Sequence, residues 1–415
     1  LVALMVLGSP ALVLGRTDAD LRAAASNPRA GWRDDPDRPI VVQPTDPLRR
    51  ATTDRLNIIM LVIDDLAEMD TRVWERLPNI RATFLDNGLR FTNYSGNDPL
   101  CCPGRANLLT GLWSQHHGVV VNDARLFRPE ETIATELHGQ GYYTAIVGKY
   151  FNGTGLLDSK TPPGWDRASI YSGGYYRYTM WVDGVPEYHD NDRNDYSTDV
   201  IANTSVRYLR AAPPDRPLFA YLSPYAVHAG EDRSNRRRKH MPAPPDRFKG
   251  DARCADIAPW RPANYNEADV SDKPALISGL PPLSYADGWP MAPICETLLA
   301  VDEMLGRVRE ELAGQGRLDN TLFVMTADNG MAFGAHRWPT KRIPYATPMP
   351  LFMSWTKGLG AGTSINPVFI ANVDIAPTLC GLAGCRLDDF PGGQKAPDGL
   401  DLSSQISRSP PPGPD

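Results

Sequence analysis

Three stretches of the chain are almost continuously apolar and then turn polar within a residue or two. Leu56–Ile63 (LNIIMLVI) ends in Asp64-Asp65, Leu218–Leu222 leads into the segment Ser223–His228, and Thr321–Thr326 leads into Asp328-Asn329-Gly330. Side chains alternate across a strand, so a run that is apolar on both alternations reads as a strand covered on both faces. Between these runs Leu298, Val301, Leu305, Val308 and Leu312 recur three or four apart, one stripe of a helix with charges opposite. Asp195–Ala212, Val373–Leu382 and the short Asn107–Leu112 carry weaker helical patterns. Strands alternating with helices predict an α/β fold, a largely parallel central sheet with helices on both faces. In such sheets ligands bind beyond the carboxyl ends of the strands. The three polar strand ends should therefore converge.

Other segments break the pattern. Residues 229–293 hold Pro-rich stretches, two Cys and the basic run Arg236-Arg237-Arg238-Lys239, and read as a long surface excursion rather than a domain. The basic run reads as a solvated face, with contact to an anionic polymer as the functional alternative. Residues 1–15 are apolar, too short to span a bilayer and interrupted by Gly8, Pro10 and Gly15, which suits a secretion signal. Residues 16–50 read as a poorly ordered leader, 51–402 as the main domain and 403–415 as a disordered Pro-rich tail. No later apolar run approaches membrane length. The expected protein is exported, periplasmic or extracellular, with no membrane span.

Composition narrows the function. A net charge of -6 over 415 residues argues against nucleic acid as a partner, which would call for a basic face. Six Cys are too few for a disulfide-built fold but enough for a bridge or two in an oxidising compartment. Cys101 and Cys102 are adjacent and cannot form the spaced pair of a zinc ribbon. Placed just ahead of a helix start, with Arg105 nearby, Cys101 sits where backbone N–H groups favour an anion and where a nucleophile fits. Asp64-Asp65 and Asp328-Asn329 each place polar oxygens just past an apolar strand. Taken alone, an Asp pair is more often a helix cap.

Cys101-Cys102-Pro103-Gly104-Arg105, continued by Leu109-Thr110-Gly111, resembles the C-x-P-x-R signature of the sulfatases. The resemblance implies an alkaline-phosphatase-like fold and oxidation of Cys101 to formylglycine by a formylglycine-generating enzyme. It also implies a divalent cation held by Asp64, Asp65, Asp328, Asn329 and the modified Cys101, three carboxylates and an amide oxygen making a hard set that suits Ca²⁺ or Mg²⁺ rather than Zn²⁺. Gly148-Lys149-Tyr150-Phe151-Asn152 is similar to the segment that supplies a sulfate-binding Lys, in the style of the N-acetylglucosamine-6-sulfatases, with Phe151 where many sulfatases have His. Asn152 stands as the substitute for that His. His228 resembles the proton donor to the leaving oxygen, Lys341 the second sulfate-binding Lys, and Arg105 the group that holds the modified side chain. His336, in a G-x-H-R context, is a further substrate-binding candidate.

The implied reaction is hydrolysis of a sulfate monoester, on a sulfated carbohydrate such as a 6-sulfated N-acetylglucosamine unit or on an aryl sulfate. The alternatives are a phosphoester hydrolase of the same superfamily and a non-catalytic sulfated-glycan-binding homologue. Relatives continue past Pro397–Leu402 into an antiparallel C-terminal subdomain, which is expected to be missing or truncated here. Cys380–Cys385 and Cys254–Cys295 are the expected disulfides, although sequence does not fix connectivity.

Overall fold

A computed structural model describes residues 50–69, 71–234, 241–359, 364–366, 369–387 and 396–406. The expected secretion signal, most of the leader, the basic run at 236–239 and residues 407–415 lie outside the described residues. Among the described residues the chain forms a ten-stranded sheet and a two-stranded one.

In chain order the strands are β1 (Asn57–Ile63), β2 (Leu89–Phe91), β3 (Tyr94–Ser95), β4 (Tyr143–Lys149), β5 (Arg167–Tyr171), β6 (Tyr178–Val182) and β7 (Val185–His189). They continue with β8 (Leu218–Ser223), β9 (Thr321–Ala327), β10 (Leu351–Ser354), β11 (Ser364–Asn366) and β12 (Ile370–Ala371). The large sheet has the order β11-β2-β10-β9-β1-β8-β4-β5-β6-β7. Its centre, β9-β1-β8-β4-β5, is parallel throughout. Outside that centre β10 runs antiparallel to β9 on one side, and β6 and β7 continue antiparallel on the other. The sheet is therefore mixed: its long parallel run lies at the centre, and a short parallel pair, β11 with β2, lies at one edge.

All seven residues of β1, of β4 and of β9 are buried, so both faces of the sheet's centre are covered. The main helices are α1 (Cys101–Thr110), α2 (Ile133–Gly139), α3 (Ser197–Arg210), α4 (Ala292–Gly314) and α5 (Ile375–Ala383). They pack in two groups, α3 with α4 and α1 with α2 and α5, and β4 touches a helix of each group. The predicted stripe of α4 is buried at all five of its positions. Its length follows from that continuous apolar stripe.

Three expectations need correction. Helix α1 starts at Cys101, not at Asn107, so Cys101 is its first residue rather than a neighbour ahead of it. The apolar periodicity there is weak because the whole helix is buried, which leaves no polar face to mark it. Residues 229–293 do not merely run over the surface: Phe248, Cys254, Ile257, Tyr265, Trp289 and Met291 join the main core. Ser403–Ile406, placed in the disordered tail, form a turn of helix with Ser403 and Ile406 buried.

Candidate active site

The parallel centre delivers its strand ends to one place. Asp64 and Asp65 follow β1, Lys149 is the last residue of β4, Ser223 the last of β8, and Asp328 and Asn329 follow β9. Backbone bonds lock the exits of β1 and β8 together: Asp64 N–H donates to Ala226 O at 2.9 Å, and Val227 N–H to Asp64 O at 2.8 Å. That pairing carries His228 toward the carboxylates.

Arg105, fully buried on α1, ties the strand ends to the helix. Its Nε donates to Asp328 Oδ2 at 2.8 Å, and its Nη1 donates to Lys149 O and to Ser223 Oγ, both at 2.6 Å. Its Nη2 lies 3.9 Å from Asp64 Oδ1. One guanidinium thus reaches the ends of β9, β4, β8 and β1. Burial opposes its charge, and Asp328 beside it more than reverses that, so it stays cationic. The role of Ser223 was not foreseen; a polar residue closing an apolar strand was the available signal.

Cys101 Sγ lies 3.7 Å from Asp64 Oδ1, 3.9 Å from Asp65 Oδ1 and 2.9 Å from Lys341 Nζ. Burial pushes the thiol up to about 12 despite the nearby lysines. An unmodified Cys101 is therefore not a thiolate nucleophile at neutral pH. Lys149 Nζ donates to Asp64 Oδ2 at 2.6 Å, and Lys341 Nζ also bonds Asp65 Oδ1. Burial alone would raise both carboxyls; Lys149 facing Asp64, and His228 and Lys341 facing Asp65, hold them below the usual carboxylate range. His228 Nε2 lies 3.4 Å from Asp65 Oδ2, and burial lowers its pKa.

Ligating atoms of Asp64, Asp65, Cys101 and His228 all lie within 4.8 Å of one another. Asp328 stands beside that group, its oxygens accepting from Arg105 and from the backbone N–H groups of Asp65 and Asn329. Asn329 Nδ2 donates to Asp65 Oδ1 at 2.9 Å, which leaves its Oδ1 buried and without a hydrogen-bond partner. An orphaned buried carbonyl oxygen beside two carboxylates is what a hard cation takes up. The residues present thus fit a divalent oxygen-binding ion.

Two candidates lie apart from this cluster. Asn152 contacts Cys102 instead, its N–H donating to Cys102 Sγ at 3.2 Å. His336 Nδ1 meets Glu267 Oε2 at 2.6 Å, and its ring lies against Tyr345. Cys254 is bonded to Cys295 and Cys380 to Cys385.

Residues 57–385 match the family model described as sulfatase. The chain belongs to the sulfatase family. It is 28% identical over 350 residues to the extracellular sulfatase SULF-1 homolog of Drosophila melanogaster, a match covering 80% of this chain and 30% of that protein. It is 27% identical over 427 residues to the N-acetylglucosamine-6-O-sulfatase of Bacteroides thetaiotaomicron, covering 84% and 72% respectively. A solved structure in complex with its substrate D-glucosamine-2-N,6-O-disulfate superimposes with a TM-score of 0.64 at 26% identity, covering 87% of this chain and 82% of that one. This sulfatase-family chain thus spans under a third of the fly relative's length.

Proposed function

We propose that the chain hydrolyses sulfate monoesters of a carbohydrate, a 6-sulfated glucosamine unit being the favoured class, with Cys101 converted to formylglycine and a Ca²⁺ or Mg²⁺ ion bound beside it. The observation that carries the reading is the meeting of Cys101 Sγ with two carboxylates and a lysine, inside a buried cluster of matched charge. Three carboxylates, Asp64, Asp65 and Asp328, face three cations, Arg105, Lys149 and Lys341. Asp64, Asp65, Asp328 and Asn329 would hold the cation, whose positive charge polarises the nucleophile and turns a neutral cluster into an anion site. Cys101, once converted to formylglycine, would supply the nucleophilic hydroxyl beside Asp64, Asp65 and Lys341.

The chain's own residues do the rest. Lys149 and Lys341 release carboxylates to bind the sulfate oxygens and neutralise charge that spreads over them. Arg105 keeps the helix and four strand ends in register. His228 Nδ1 is committed to Ala229 O at 2.7 Å, a pure acceptor, so any proton reaching the leaving oxygen travels through Nε2. The bound substrate's 6-oxygen leaves as an alcohol. Two disulfides and the extracellular designation of the fly relative support export, and maturation would need a formylglycine-generating enzyme. No helix among the described residues is long and apolar enough to cross a membrane.

The test pairs mass spectrometry of the tryptic peptide containing Cys101 with turnover of N-acetylglucosamine 6-sulfate and of 4-nitrophenyl sulfate and phosphate. An aldehyde at position 101 and preference for sulfate are expected. A plain thiol in fully active protein, or faster phosphate turnover, would overturn the reading.

A further inference from the structure

His228 is held on more sides than a hydrogen-bonding histidine needs. Its ring stacks on Tyr225, centroids 4.6 Å apart and planes 27° from parallel. Its backbone carbonyl accepts from Tyr175 Oη at 2.8 Å, and its N–H donates to Tyr225 O at 2.9 Å. The Ala229 carbonyl that receives His228 Nδ1 also accepts Tyr225 Oη at 3.1 Å, which fixes the carbonyl's direction.

Tyr225 is itself braced. Tyr175 meets it edge-on at 5.0 Å and stacks in turn on Tyr196 at 5.5 Å. A Cβ built on Gly173 would stand 2.7 Å from Tyr225 Cδ2, and one on Gly230 2.7 Å from Tyr175 Cδ2. Both tyrosines therefore press on bare backbone, which leaves their rings no room to shift toward those glycines. Lys149 Nζ lies 5.6 Å from the centroid of the same Tyr225 ring, within cation–π range. A general-purpose core would not need an aromatic ring against both the imidazole and the ammonium.

We propose that Tyr225 is a positioning residue, whose braced ring sets the plane of His228 so that Nε2 rather than Nδ1 faces the reacting centre. The inference rests on the sulfatase reading and deepens it, since it says how the proton donor is aimed. Proton donation matters most when the leaving group is an alkoxide and least when it is a nitrophenolate, which leaves without help. Loss of the ring should therefore weigh on sugar esters more than on activated aryl esters. A purely structural role would lower both alike.

The experiment compares full-length, formylglycine-converted wild type, Tyr225→Met and Tyr225→Phe on N-acetylglucosamine 6-sulfate and 4-nitrophenyl sulfate. Met keeps bulk without the ring; Phe keeps the ring without the hydroxyl. Because small misplacements of a catalytic group cost on the order of 100-fold, Tyr225→Met should lower kcat on the sugar ester by roughly 10- to 100-fold more than on the aryl ester. Tyr225→Phe should recover most of that difference. Equal losses on both esters, or no recovery with Phe, would overturn the proposal. Tyr175→Phe, which removes only the hydroxyl on the His228 carbonyl, gives the same comparison in a conservatively altered protein. Nitrogen-15 NMR of the labelled imidazoles reads the ring without turnover: the Nδ1–H tautomer of His228 should dominate in wild type and mix in Tyr225→Met. An unchanged spectrum counts against the clamp. Wild type that cleaves neither ester would instead sink the sulfatase reading, while the spectra still judge the clamp.

Discussion

Gly148, the residue before Lys149, offers a sharp test of how the strand ends are held. Its φ is +118°, a region that L side chains rarely enter, and a Cβ there would lie 2.1 Å from Ser223 O on the neighbouring strand β8. Both partners in that contact are main chain, so no rotamer relieves it. A backbone forced into such a region costs about 1–3 kcal/mol, and overpacking a core costs about 1–3 kcal/mol more. Gly148→Ala should therefore destabilise the fold by about 2–6 kcal/mol, against the few tenths that a surface Gly→Ala change moves. If β4 yields instead, it parts from β8 where Lys149 O accepts Arg105 Nη1 and Lys149 Nζ meets Asp64, so turnover falls even in folded protein. Urea unfolding at pH 7, followed by circular dichroism, gives the stability change, and sulfate-ester kinetics gives the second. A variant within about 0.5 kcal/mol of wild type and fully active would refute the reasoning.

Other features make independent predictions. His117 is buried as a satisfied neutral ring, accepting from Val119 N–H at Nδ1 and paired through Nε2 with Asn107 Oδ1, and burial lowers its pKa to about 4. The unfolded chain then binds the proton first, so stability is complete above about pH 6.5 and falls by about 3 kcal/mol toward pH 4. His117→Gln should flatten that part of the pH–stability curve in urea titrations; an unchanged slope would refute the assignment. The Cys254–Cys295 bond spans 41 residues, and replacing both by Ser should cost about 4 kcal/mol in non-reducing urea unfolding. No change in midpoint would show that the core residues of this excursion hold it alone. Asn329→Ala removes the orphaned oxygen and should weaken Ca²⁺ binding at least about tenfold by calorimetry, since even outer partners of a metal site carry that much. Equal affinity would place the ion elsewhere.

Much of the site was legible because strand burial and chemistry share a boundary. The runs ending at Asp64 and at Asp328 are apolar on both faces, so the first carboxylate after each must lie at the sheet's edge, and the parallel centre puts those edges together. What lay beyond reach were contacts made by close approach. Ser223 reads as an ordinary strand-closing residue until Arg105 is seen to reach it, and Tyr225 as a core aromatic until its ring is found on His228. The β10-β2-β11 edge was hidden because its strands are only three or four residues long, too short for alternation to show. The start of α1 was missed for the opposite reason: a helix buried all round has no face to read.

Strand β1 also sets a problem of timing during synthesis. Its two neighbours in the sheet, β8 and β9, are made only when the chain reaches Leu218–Ser223 and Thr321–Ala327. At translation speeds of about 5–20 residues per second, its second edge stays unpaired for roughly 10–50 s. Throughout that wait the nascent chain displays NIIMLVI, an uncharged apolar strand with at least one open edge, to every other emerging chain. The arrangement that gathers the site from distant segments thus leaves the newborn chain with an aggregation-prone first strand until its partners are made.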